Sequence, residues 1–307
     1  MEMLWRGAAN AWECDELGHL NVRFYLAKAV EATGALAQKI AMPHAFQARS
    51  PATLAARSMT VRFLAEVLPG APLAIRGGVL DYDETGLTAV LILDHCALER
   101  PAAAFTVRLD HYAPGAGRVF AWSNRTRDAL EAMRVQAPAD IETRSLSSGP
   151  AEPHVSLARA ETLGLEEVGR GMINPDEVDA FGRMRAEFAF GKISSSVIQF
   201  QTGFQEQWAA FKDKRAPDAA SAVLEARLNF HRFPRAGTGY VVRTGLARVS
   251  KNVRTLVHWV CDAQTGAPLW TMEAVGCLMD LTTRTLKPAD PDTLAAMEAA
   301  VIDGLQA

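Results

Sequence analysis

No stretch of about 18 consecutive apolar residues occurs in the chain, so no segment is expected to cross a membrane as a helix. The first ten residues, MEMLWRGAAN, have neither the basic start nor the apolar core of a secretory signal, and cytoplasmic residence is the default expectation. Cysteine is scarce. Cys14, Cys96, Cys261 and Cys277 form no CxxC and no Cys/His spacing that suits zinc, so reduced thiols and no metal are expected. Cys14 adjoins Asp15, a neighbour that raises a thiol's pKa and weakens it as a nucleophile. Positive charge has no block of its own: 32 Lys plus Arg stand against 35 Asp plus Glu, which argues against nucleic acid as a partner. Also missing are GxSxG, HExxH, a P-loop and GxGxxG. DYDETG at Asp81 is no calcium loop, because Thr85 and Ile92 hold its fifth and twelfth positions. It reads as a hairpin turn. What remains is a globular composition, 49% hydrophobic and 22% charged over 307 residues, enough for one large domain or two smaller ones.

The chain is written twice. Set without gaps, RGAANAWECDELGHLNVRFYL from Arg6 and RGMINPDEVDAFGRMRAEFAF from Arg170 share Arg6/Arg170, Gly7/Gly171, Asn10/Asn174, Glu13/Glu177, Asp15/Asp179, Gly18/Gly182 and Phe24/Phe188. An amphipathic helix follows each copy. The first, from about Asn21 to Ala41, places Val22, Leu26, Ala29, Val30, Thr33, Leu36, Ala37 and Ile40 on one stripe. The second, from about Ala186 to Asp213, does the same with Phe190, Ile193, Val197, Phe200, Phe204, Trp208 and Phe211, weakened at Gly191 and Gly203. Four alternating segments follow in each half, beginning SMTVRFLAEVL and VLEARLNFHRF, so each half reads strand, long helix, four strands. A helix that long must lie across one face of an antiparallel sheet. Between the halves, a stretch holding Pro138, Pro150 and Pro153 is expected to carry short helices at Arg125–Arg134 and Ser156–Leu163. A last helix should open at Pro291, with Leu294, Met297, Val301 and Leu305 on one side.

Asp15-x-x-Gly18-His19-Leu20-Asn21-x-x-x-Tyr25, with Glu31 further along the helix, resembles the signature of hotdog-fold acyl-CoA thioesterases of the 4-hydroxybenzoyl-CoA thioesterase branch. The resemblance implies an α+β fold of two tandem hotdog units, each a long central helix against a curved antiparallel sheet. This is an internal double hotdog: residues 1–123 as the first unit, 124–166 as a linker with short helices, 167–307 as the second unit with a terminal helix. It also implies an active site where two units meet, with Asp15 desolvated and its basicity raised. There Asp15 activates water for attack on a thioester carbonyl, or attacks the carbonyl itself. Amides between Gly18 and the helix starting at Asn21 would receive the oxyanion, and Gly18 would let the backbone come close. The substrate would be an acyl-CoA or acyl-carrier thioester, with no cofactor beyond the substrate's own CoA, and the protomers could assemble as homo-oligomers.

Each residue has a plainer role open to it. Asp15 also suits a turn acid or cap; His19 either faces the substrate or packs as a turn histidine, and Asn21 is either a ligand to the acyl carbonyl in the catalytic group or the helix N-cap. Tyr25 lines the interface, where it would bind substrate, and Glu31 suits a solvated or ion-paired helix residue. The second copy keeps Asp179 as a possible second acid but departs elsewhere. Arg183 stands for His19, Arg185 for Asn21, Ala189 for Tyr25 and Ser195 for Glu31. Arg183 and Arg185 either meet CoA phosphates as guanidinium forks or are ordinary surface arginines. Two other functions fit the same scaffold. One is a non-catalytic acyl-thioester-binding regulator. The other is an enoyl-CoA hydratase-type enzyme, for which the string D-x-N-P-x-H is missing.

Overall fold

The computed structural model of the protein describes residues 1–214 and 217–307. Its elements run β1 (Glu2–Ala8), α1 (Val22–Lys39), β2 (Thr53–Phe63), β3 (Pro72–Tyr82), β4 (Gly86–His95), β5 (Arg100–Ala113), β6 (Arg118–Val119) and α2 (Asn124–Ala132). They continue with α3 (Leu157–Thr162), β7 (Glu166–Met172), α4 (Ala186–Ser194), α5 (Gln205–Lys212), β8 (Ala219–Phe230), β9 (Gly239–Val249), β10 (Arg254–Asp262), β11 (Pro268–Asp280) and α6 (Pro291–Ala299). Two compact units result: Met1–Thr143 with Asn174–Gly191, and Arg144–Ile173 with Lys192–Ala307.

In the first unit the strands pair antiparallel in the order β1-β3-β4-β5-β2, with the short β6 on β5. α1 packs on β1, β3 and β4. Its buried face is Tyr25, Leu26, Ala29, Ala32, Thr33, Leu36, Ala37 and Ile40, stepping by three and four. Val22 and Val30, expected on that stripe, are only half-buried, while Lys28 is enclosed. Val135 and Ile141, from the stretch after α2, cover Val90, Ile92 and Ala104. Asp83 closes the β3–β4 hairpin by accepting the amides of Thr85 and Gly86 at 2.9 and 3.0 Å, so the DYDETG string is a turn.

The second unit repeats the order as β8-β11-β10-β9-β7. α3 and Leu305 close an apolar cluster on Val257, Trp259 and Cys261. Two buried carboxylates are also satisfied here: Glu225 accepts the amides of Arg144 and Ser145 from the connecting chain, and Glu273 accepts from Ser147 of that chain and from Arg248 of β9. A buried charge is tolerable only when paired in this way.

The duplication extends to the irregularities of the sheets. Leu4 bulges out of the β1–β3 ladder and Val168 out of β7–β9. Arg57 and Leu224, Leu80 and Ala247, and Ala102 and Leu269 bulge at matching places in the other ladders. A bulge inserts an unpaired residue and bends its strand, so four matched pairs mark one unit built twice. Leu4 and Val168 are 164 residues apart, as are Asp15 and Asp179; the later pairs are 167 apart. Three extra residues therefore lie between the second loop and β8.

That is where the long second helix expected over Ala186–Asp213 is broken. α4 stops at Ser194, 3-10 turns occupy Val197–Gln199 and Gln201–Gly203, and α5 resumes at Gln205. Ser196 Oγ donates back to the carbonyls of Lys192 and Ile193 at 3.0 and 3.3 Å, a local alternative to the helical ladder. The break also resets the phase of the stripe. Phe190, Ile193, Phe200 and Phe204 are buried, but Phe211 is 57% exposed. At the far end, α6 stops at Ala299, and Leu305 reaches its cluster through a turn at Gly304, where φ is +69°.

Candidate active site

The loop ahead of α1 is assembled from chain-local hydrogen bonds. Asn10 and Glu13 form a capping box on the 3-10 turn Ala11–Glu13, and the Asn10 amide donates to Glu13 Oε2 at 2.8 Å. Lys28 Nζ reaches down from α1 to both Glu13 oxygens, at 2.9 and 2.8 Å. The Asp15 amide donates to the His19 carbonyl at 2.8 Å, and the Gly18 amide returns to the Asp15 carbonyl at 3.0 Å. Gly18 takes φ +75°, left-handed backbone that glycine adopts without cost, and a Cβ there would meet nothing within 4 Å. Its backbone conformation, and not a close approach within the protein, is what the turn uses.

Asp15 is half-buried rather than enclosed. Its Oδ1 accepts the amides of Leu17 and His19 at 3.0 and 3.3 Å. Among the described residues Oδ2 has no donor. One oxygen thus belongs to the loop, and the other carries no bond within it. Cys14 stays a thiol: burial first, then the Asp15 charge, pushes its pKa up, and Sγ donates to the Asn10 carbonyl at 3.4 Å.

Asn21 is the N-cap of α1, its side chain accepting the Arg23 amide at 3.0 Å. The amides expected to stand unpaired between Gly18 and Asn21 are engaged. His19 donates to Asp15 Oδ1, Leu20 to the Val67 carbonyl and Asn21 to the Glu13 carbonyl. Phe24 donates to Asn21. Of the helix's first three amides, only that of Val22 has no acceptor among the described residues. It lies at the positive end of an 18-residue helix.

Tyr25, one turn into α1, is buried, and its hydroxyl donates to the Ala65 carbonyl at 3.0 Å. Burial, then the negative charge of Glu66, drives its pKa up, so the hydroxyl keeps its proton. The Leu20–Val67 and Tyr25–Ala65 bonds hold the chain on either side of Glu66, whose Oε2 lies 3.3 Å from Nε2 of the buried His19. Glu66 belongs to this site but is far along the chain from Asp15, and no local pattern marks it. Glu31 lies outside: it is exposed and accepts from Trp5 Nε1 at 2.6 Å.

The second copy repeats the loop. Asn174 and Glu177 form the same box, Gly182 has φ +73°, and Asp179 Oδ1 accepts Phe181 and Arg183 amides at 2.8 and 3.0 Å. The resemblance ends at the side chains. Arg183 pairs with Asp179 and lies over the rings of Phe181 and Tyr112. Arg185 is exposed and turns away to Glu187 and Phe188. The two arginines do not converge on one position. By the sheet register, the counterpart of Glu66 is Phe233.

Residues 174–191 fold into the same compact unit as the first copy. Phe190 meets Phe63 edge-on at 6.2 Å, and Phe63 meets Tyr25 edge-on at 5.2 Å. The guanidinium of Arg23 lies 3.9 Å over Phe188, with its pKa lowered by burial. Among the described residues no group of three or more His, Cys, Asp or Glu side chains is placed to hold a metal ion.

Against known proteins, the fold is shared widely and the sequence little. An oleoyl thioesterase (putative) from Lactobacillus plantarum matches 89% of this chain over 94% of its own, with a TM-score of 0.66 at 9% identity. An acyl-ACP thioesterase from Bacteroides thetaiotaomicron matches 89% over 96% of its own, with a TM-score of 0.63 at 10% identity. The 12:0-ACP thioesterase from Umbellularia californica matches 93% over 93% of its own, with a TM-score of 0.64 at 9% identity. Among curated proteins none matches in sequence. The model of the thioesterase-like superfamily matches twice, over residues 9–132 and 173–297. Both matches take in an acid loop, its helix and the strands after it, and the chain belongs to the thioesterase-like superfamily.

Proposed function

We propose that the chain hydrolyses acyl thioesters at the first loop, as the 4-hydroxybenzoyl-CoA thioesterase form of that loop suggests. The observation that carries this is the division of labour within Asp15. Two amides fix Oδ1, and Oδ2 stays open at the head of the central helix. A water molecule attacks the thioester carbonyl carbon as its proton passes to Oδ2. The carbonyl oxygen gathers negative charge and is received by the Val22 amide and the helix dipole. The C–S bond then breaks, and the thiolate takes the proton back from Asp15. In the alternative route the same oxygen attacks the carbonyl, the C–S bond breaks to release the thiolate and leave an anhydride, and water opens the anhydride, its proton passing to the thiolate. His19, held by Glu66, and Tyr25, bonded to the Ala65 carbonyl, fix the loop against the chain around Glu66.

The substrate is an acyl-CoA or an acyl-carrier thioester; structures of similar fold include proteins titled acyl-ACP thioesterases. The thiol is carried in by the substrate, so the reaction asks for no further cofactor. No helix among the described residues is long and apolar enough to cross a membrane. We place the reaction in the cytoplasm, where both thiol carriers are found.

The test is thiol release from a panel of acyl-CoA and acyl-carrier thioesters of varied chain length and charge. Steady turnover on at least one member is expected. Acyl thioesters that raise the melting temperature yet are never cleaved would replace hydrolysis with a binding role.

A further inference from the structure

We infer that the second loop is a silenced duplicate of the first, latched by Arg183, so that one chain carries one working acid. This rests on the thioesterase reading and adds the residue that sets the number of sites. In backbone the two loops match closely. Each acid's amide donates to the carbonyl four residues on, at 2.8 Å for His19 and 2.7 Å for Arg183. Each glycine amide returns to the acid's carbonyl, at 3.0 and 2.9 Å, and each Oδ1 takes two amides. The backbone therefore offers no reason for one acid to work and the other not.

The side chain four residues after the acid differs. His19 directs Nε2 to Glu66 and leaves Asp15 Oδ2 open. Arg183 folds back, placing Nε and Nη2 3.0 and 2.8 Å from Asp179 Oδ2. A guanidinium has the reach and the planar fork to bind one carboxylate through two N–H groups, which an imidazole lacks. The rings of Phe181 and Tyr112, 5.1 and 5.6 Å from the guanidinium carbon, hold the fork in place. The pair is only partly open to solvent, with Arg183 13% and Asp179 24% exposed, so salt screens it less than a surface pair. Lone pairs committed to a fixed cation neither take a proton from water nor reach a carbonyl carbon.

The experiment uses the full chain and its best substrate from the thiol-release panel, with melting temperatures showing that each variant is folded. Asp179→Asn is expected to keep at least about half of wild-type kcat/KM, well short of the 10²–10⁴-fold loss that follows removal of a general base. In an Asp15→Asn background, Arg183→His is expected to raise turnover about tenfold or more, a fraction of that same general-base effect, and adding Asp179→Asn should abolish the gain. If Asp15→Asn and Asp179→Asn each remove a comparable share of turnover, two acids work and the latch is wrong. A folded Asp15→Asn/Arg183→His variant with no gain shows that Arg183 is not what silences the loop. An unaltered rate in Asp15→Asn alone refutes the thioesterase site instead, whatever Asp179→Asn does.

Discussion

Asp15→Asn is expected to lower kcat/KM by about 10²–10⁴-fold, the range that general-base catalysis supplies, while the melting temperature stays within a few degrees of wild type. The two carboxylate oxygens have separate roles. Asparagine keeps a carbonyl oxygen that can accept the Leu17 and His19 amides in place of Oδ1, so the turn survives. Its Nδ2 then stands where Oδ2 stood. An amide nitrogen accepts no proton and attacks no carbonyl, so both versions of the chemistry fail together. Gly18 at φ +75° and the Asn21 cap are untouched, and substrate binding should change far less than turnover. Steady-state kinetics beside thermal unfolding checks both halves of the expectation.

Lys28→Ala is expected to destabilise the first unit strongly, costing about 3–5 kcal/mol as breaking a buried ion pair generally does. Lys28 is 4% and Glu13 13% exposed in their side chains, so neither recovers water when the other leaves. Glu13 also accepts the Asn10 amide, so its orphaned charge would disturb the turn that leads into Asp15. For a unit of this size the loss corresponds to a fall of roughly 6–20 °C in melting temperature. Replacing both partners together, Lys28→Met with Glu13→Gln, should be milder than Lys28→Ala alone, because no buried charge is stranded. Thermal unfolding of the single and double variants decides. Equal losses would show that the pair is not coupled.

The duplication and the acid loops were legible because what makes them is local. An Asp whose carboxylate caps amides two and four residues on, a glycine at left-handed φ and an Asn at the helix start are all specified within a dozen residues. The helix stripe followed from periodicity alone, and only Val22 and Val30 fell off it. The broken second helix was not legible. Gly191 and Gly203 marked it as weak, but the break depends on Ser196 bonding backwards and on three extra residues that only the matched bulges reveal. Glu66 was invisible because its place beside His19 comes from the Tyr25–Ala65 and Leu20–Val67 bonds across the fold. Lys28 sat in a polar-looking helix position whose burial depends on Glu13. Arg183 and Arg185 stand out in the sequence as departures from the first copy, but which carboxylate each meets is set by the three-dimensional fold.

The proposed reaction cleaves a thioester against Asp15 Oδ2 at the head of α1. A structure of the protein with a non-cleavable acyl-thiol analogue, a thioether ketone carrying the acyl chain of the best substrate, tests it most directly. The ketone oxygen is expected on the Val22 amide, with its carbon facing Asp15 Oδ2 across the space of one water molecule or less. An analogue bound with its ketone away from residues 15–22, or seated against Asp179 and Arg183, would contradict it.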